Sequence, residues 1–196
     1  VTQVERADAA RNRQAILDAA DELFASADLP ASVSMDDIAR VAGVGKGTLF
    51  RRFGDRTNLI RQVYAARISP LRGQIESGPP PLGPATPPLE RVAAVIDAIA
   101  RLKLDNVHLM TALEGSTAGA SASLIHSPDY NDVHLLLSDL INQHQRTTHA
   151  RWTAHVLLGS VRADLLRHLT EVEGMTNKQI RSQLRAFVRS TVSSCG

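Results

Sequence analysis

Lys46, Thr48, Arg51, Arg52 and Arg56 crowd one short stretch of the chain, interleaved with Leu49, Phe50 and Phe53. An ammonium or a guanidinium can donate to phosphate oxygens or to guanine O6 and N7, and a threonine offers a hydroxyl and a methyl to base edges. From Arg40 to Arg67 seven basic side chains stand against Asp55 alone. A patch of that sign is the footprint of a polyanion partner, although a solvated helix face carries similar charge. Other chemistries are poorly served. Seven histidines are scattered from His108 to His168 with no pair four apart, no Gly-x-Ser-x-Gly elbow surrounds Ser116, and Cys195 is the only cysteine. These residues imply neither an enzyme nor a metal or other cofactor. Gly43-Val44-Gly45-Lys46-Gly47-Thr48 is not a phosphate loop, since Gly47 separates Lys46 from Thr48 and position 40 is Arg.

The surrounding residues explain how such side chains could be held. Ser34 followed by Asp37 has the spacing of a capping box, so a helix starts there and carries Ile38, Ala39 and Ala42 inward. Gly43 stops it. Lys46 to Phe53 forms a second short helix in which Leu49 and Phe53, four apart, share a face. They are expected to pack on Ile16, Leu23, Phe24, Ile38 and Leu59. Lys46, Gly47, Thr48, Phe50, Arg51 and Arg52 are left on the outer sides. Two helices joined by a glycine turn, the second one basic, form the unit that enters a DNA major groove. On this reading Lys46 and Thr48 meet base edges, Gly47 admits close backbone approach, and Arg51, Arg52 and Arg56 take phosphates. Backbone N–H groups near Met35 add an anion seat.

Helical periodicity continues on both sides. The spacing of Ile16, Leu17, Ala20, Leu23 and Phe24 predicts a helix over about 9–27, and Leu59, Ile60, Val63, Tyr64 and Ile68 predict one from near Arg56 to around Pro70 or slightly later. Residues 78–88 hold six prolines and read as an extended or disordered connector. Further helices are expected over 89–104, about 106–114, 128–144, 148–172 and 176–193, with a loop around GSTAGAS. No strand is evident, and the chain reads as all-α. Its 196 residues, 43% of them apolar and only 4% aromatic, must build the core from aliphatic side chains. A formal charge of +2 is small for a protein that compacts DNA without sequence preference. The lone cysteine fits a reducing compartment, no apolar run is long enough to span a bilayer, and the polar start is unlike a secretory leader. A cytoplasmic location is expected.

Ser34, Ile38-Ala39, Ala42-Gly43-Val44, Leu49-Phe50, Phe53, Arg56 and Leu59 together make residues 34–59 closely similar to the DNA-binding motif of the TetR family of bacterial transcriptional regulators, and the resemblance extends over roughly 10–65. Gly45 stands where that family usually has a capping serine, and Phe50 where it usually has tyrosine. The resemblance implies a helix-turn-helix domain over 1–55, contacting DNA through Ser34, Met35, Gly45, Lys46, Gly47, Thr48, Phe50, Arg51, Arg52 and Arg56. It implies a helical regulatory domain over 56–196 that binds a small-molecule effector and forms a homodimer on an inverted-repeat operator. Repression relieved by the effector is the expected function. The alternatives are an architectural DNA-binding protein and a helical ligand-binding protein with no DNA role. The expected dimer surface is a stripe of Trp152, Val156, Gly159, Ala163 and Leu166 paired with Ile180, Leu184, Phe187 and Thr191. Leu104, His108, Met110, Leu113, Tyr130, His134, Leu137, Trp152 and His155 are the expected pocket residues, suited to a mostly apolar molecule with one or two polar groups.

Overall fold

In the computed structural model the described residues are 3–26, 32–107, 109–110 and 128–193, with side chains from residue 8 onward, and all of their regular structure is helical. The helices are α1 (Gln3–Ser26), α2 (Met35–Val41), α3 (Lys46–Phe53), α4 (Arg56–Ser77), α5 (Pro88–Asp105), α6 (Pro128–Gln145), α7 (Ala150–Gly159), α8 (Ala163–Glu171) and α9 (Asn177–Ser193). Contacts divide the chain into two compact units. The first takes Val1–Arg67 and His108–Ser116, and the second takes Ile68–Val107 and Thr117–Gly196. The first unit therefore runs well past position 55, and the change from one to the other falls inside α4.

In the first unit the aliphatic stripe of α1 closes over the motif. Ile16, Phe24, Ile38, Leu49, Phe53, Leu59 and Ile60 are all essentially inaccessible to solvent. Burying such side chains stabilises by about 1.5–3 kcal/mol each, which is how an eight-residue helix too short to persist alone is held in place. The second unit packs α5 against α6 and α9, and α6 against α7. Its core is aliphatic, with Val92, Ile96, Leu137, Ile141, Leu157, Leu166 and Val188 at its centre. Asp97 on α5 receives the Arg181 Nε at 3.0 Å and an Arg185 guanidinium nitrogen at 2.8 Å, which ties α9 down electrostatically.

Three expectations about elements need correction. Helix α4 does not end at Pro70 but carries it internally and continues to Ser77. Leu71 and Ile75 pack against the second core, and that burial outweighs the hydrogen bond that proline deletes. The proline-rich segment is not extended: the Gly83 N–H donates to the Pro79 carbonyl at 3.0 Å, the Thr86 N–H to the Gly83 carbonyl at 3.2 Å, and Gly83 and Thr86 are buried. A Cβ on Gly83 would collide with the Gly78 carbonyl, so only glycine fits. The helix expected over 148–172 is broken at Ser160–Arg162. There Val161 turns into the core, the Ser160 hydroxyl donates to the Leu157 carbonyl at 2.6 Å, and Arg162 is extended (φ −65°, ψ 142°). Of the expected helix over 106–114 the described residues are Asn106, which caps the end of α5, and Val107, Leu109 and Met110, and the GSTAGAS loop lies outside the described residues.

Candidate nucleic-acid interface

Helix α2 is capped as its sequence dictates. The Asp37 N–H donates to Ser34 Oγ at 3.1 Å, while the Ser34 N–H and hydroxyl donate to Asp37 Oδ2 at 3.3 and 2.6 Å. The Ser34 side-chain bond, then Arg40, hold the Asp37 carboxyl below the usual carboxylate range. Gly43 (φ 65°) turns the chain, and extended Gly45 (ψ 140°) starts α3 without any side-chain cap. Gly54 (φ 74°) ends α3, and Asn58 Nδ2 donates to the Phe53 carbonyl at 2.8 Å across that turn.

With Leu49 and Phe53 directed inward, α3 presents Lys46, Gly47, Phe50 and Arg51 to solvent and Thr48 at its flank. Lys46 Nζ lies 2.8 Å from Asp36 Oδ2 of α2 and 6.0 Å from the Phe50 ring centre, so it is steered toward the outer rim of the turn. Phe50, 40% exposed, is an open aromatic surface between the basic groups. No Cβ neighbour lies near Gly47, so the backbone there is unshielded.

Arg52 and Arg56 behave differently from the expected phosphate ligands. The Arg52 guanidinium donates to the Ala9 carbonyl of α1, and Arg56 Nε donates to the Val33 carbonyl at 2.9 Å while its guanidinium covers the Phe24 ring at 5.4 Å. Burial lowers the Arg56 pKa. Both side chains brace the unit from within, because their positions on α3 and α4 face α1 and the 32–34 segment. Ser34 is committed to its cap, and the Met35 side chain is buried in the core. Asp36 was not anticipated as a partner for Lys46; the pair links positions ten apart across a turn, beyond any single-helix spacing rule.

Elsewhere, the structure gathers Tyr130, His134 and His155 into one stack. The histidine ring centres are 3.8 Å apart, the Tyr130 hydroxyl and His155 Nδ1 share a hydrogen bond at 2.7 Å, and His134 Nε2 lies 3.0 Å from the Arg151 carbonyl. Leu104 and Leu137 are in the second core, Met110 is buried, and Trp152 is 70% exposed. His108 and Leu113 lie outside the described residues. The second unit also holds a cavity of about 230 Å³ built from other residues: Ile68, Leu71, Ile75, Ile99, Val133 and Leu136, with Arg72, Glu76, Arg91, Asp129 and Asp132. Sequence periodicity gave no sign of it, because these residues come from three helices distant in sequence. Of the expected dimer stripe, Ala163, Leu166, Ile180 and Leu184 face their own core, and Trp152 and Phe187 are open. Val156, Gly159 and Thr191 are half-buried. Among the described residues no three His, Cys, Asp or Glu side chains converge as a metal site, and no helix is long and apolar enough to cross a membrane.

Residues 16–63 match the family model described as bacterial regulatory proteins, tetR family. The chain is similar to the HTH-type transcriptional regulator SAR0097 of Staphylococcus aureus, with 25% identity over 92% of this chain and 93% of that one. It is also similar to the HTH-type transcriptional repressor LfrR of Mycolicibacterium smegmatis, with 39% identity over 42% of each chain. A TetR-like transcriptional regulator from Rhodococcus sp. RHA1 shares the fold, with a TM-score of 0.66 at 16% identity over 93% of this chain and 96% of that one. The capped α2, glycine turn and basic α3 all lie inside the matched segment, so residues 16–63 carry the DNA-binding segment of the tetR family of bacterial regulatory proteins, and the chain over most of its length is similar to transcriptional regulators.

Proposed function

We propose that the protein is a repressor that binds an inverted-repeat operator as a homodimer and releases it when a small molecule occupies the second unit. The observation that carries this reading is the face of α3: Lys46, Gly47, Thr48 and Arg51 stand outward on a helix clamped from behind by Leu49 and Phe53. Lys46 and Thr48, in the first turn, read base edges, while Arg51 and the backbone at Gly45 meet phosphates. Two copies related by a two-fold axis set their α3 helices about 34–36 Å apart, in successive major grooves. Trp152 and Phe187, with Leu165 and Val172, supply apolar surface for that association. The similarity to LfrR, whose name describes a repressor, favours repression over activation. The 230 Å³ cavity supports a ligand-responsive second unit, and a ligand that prefers one arrangement of the protein weakens operator binding by its difference in affinity between states. Work on DNA implies a cytoplasmic location.

Selection of bound duplexes from a random library tests the reading. Enrichment of one inverted repeat is expected. Undiscriminating retention of all duplexes would indicate an architectural protein instead, and no retention at low ionic strength would refute any DNA role. On the selected duplex, Lys46→Ala is expected to relax preference at one base position at a cost of about 1–3 kcal/mol.

A further inference from the structure

The cavity of the second unit has a charge arrangement that its apolar lining does not require. It carries three carboxylates and two guanidiniums: Glu76, Asp129 and Asp132 against Arg72 and Arg91. Both guanidiniums are occupied. Arg72 is ion-paired with Asp129. Arg91, almost wholly buried, donates from Nε to the Leu82 carbonyl at 2.9 Å and from a terminal nitrogen to the Ile75 carbonyl at 2.7 Å. Its fork is thereby turned onto the backbone of α4 and of the proline-rich turn. Glu76 and Asp132 make no ion pair or hydrogen bond among the described residues, and both are solvent-accessible. An anionic ligand would meet two open carboxylates and find no free guanidinium fork. A neutral ligand would leave the carboxylates hydrated and gain nothing from them. A cation placed between them gains attraction without having to displace any existing pair.

Size narrows the class further. About 230 Å³ is below the ~300–1,000 Å³ usual for drug-sized ligands, so a slender chain fits better than a fused-ring system. Resting on the reading of this cavity as the effector site, we propose that its ligand is a small cationic amphiphile. Its alkyl part lies against Ile68, Leu71, Ile99 and Leu136, and its ammonium group lies at the rim between Glu76 and Asp132.

Three probes with one alkyl tail and different heads test this on the full-length chain by calorimetric titration below their micellar concentrations: octyltrimethylammonium, octanol and octanoate. Octyltrimethylammonium is expected to bind more tightly than octanol, with octanoate weakest. Glu76→Gln and Asp132→Asn, isosteric changes at accessible positions, are each expected to weaken the cation by about fivefold and leave octanol unchanged. Leu136→Phe, which fills the cavity, is expected to abolish binding of the cation while the melting transition is retained. Octanol or octanoate binding as tightly as the cation, or cation binding indifferent to Glu76→Gln and Asp132→Asn, would overturn the ligand class and leave the cavity as a ligand site. Failure of all three probes to bind, or binding undiminished by Leu136→Phe, would overturn both the class and the assignment of the cavity.

Discussion

Lys46 meets Asp36 at 2.8 Å with both side chains more than half exposed, so the pair is worth at most about 1 kcal/mol and is easily exchanged for a phosphate or a base. Its effect on binding still has a sign. Asp36→Asn removes an acid beside the proposed reading face and is expected to tighten binding to all duplexes by up to about fivefold, most visibly at low salt in a fluorescence-anisotropy titration. Arg51 and Arg56 should separate cleanly. Arg51→Ala is expected to weaken binding to cognate and random duplexes alike, flattening the salt dependence by about one unit. Arg56→Ala is expected to cost about 1–2 kcal/mol of stability by chemical denaturation, because the Val33 carbonyl loses its donor and Phe24 its cover. His155 adds a pH dependence. Burial, then the neighbouring His134 and Arg151, lower its pKa from the ordinary 6.5. The unfolded chain therefore binds that proton more readily than the folded one. The contribution to stability is intact above the ordinary histidine value and is lost as pH falls through the lower, folded-state value. The melting midpoint is expected to drop over that interval in the native chain, and less so in His155→Phe.

At the scale of elements, local rules made some of the chain legible and tertiary packing decided the rest. The bounds of α3 follow from Leu49, Phe53 and the flanking Gly45 and Gly54, and the α2 cap from Ser34 and Asp37, since each depends on neighbours within one turn. The same rules misjudge Pro70 and the 78–88 segment. Leu71, Ile75 and the carbonyl of Leu82 find partners on α5 and in the second core, none of which are close in sequence. Ser160–Arg162 is a similar case: its composition permits a continuous helix, and the core takes Val161 instead. Arg52 and Arg56 show the limit for the site, since a basic residue beside a binding face can be spent on its own scaffold. The internal proline has a measurable consequence. Pro70→Ala restores a helix hydrogen bond at an exposed position and is expected to raise stability by up to about 3 kcal/mol, read from the thermal transition.

For the molecule as a whole, the proposed function rests on a second copy. Trp152 and Phe187 are unusually open for large rings in a chain with so few aromatics. Phe187→Glu is expected to sediment as a monomer and to lose most operator affinity while keeping its helical content; a dimer of undiminished affinity would exclude that surface. The two glycines that delimit α3 set how such a pair can discriminate among sequences. Extended at Gly45 and left-handed at Gly54, the backbone cannot add a turn at either end, so the helix spans eight residues, or about 12 Å. That is roughly the rise of three to four base pairs at about 3.4 Å each. Each copy can inspect only a short word of DNA, too common in a genome to mark a promoter. In the proposed dimer, selectivity then comes from requiring the same word twice, inverted, at a fixed separation. Inserting half a helical turn of DNA between the two words should abolish tight binding without altering a single contacted base.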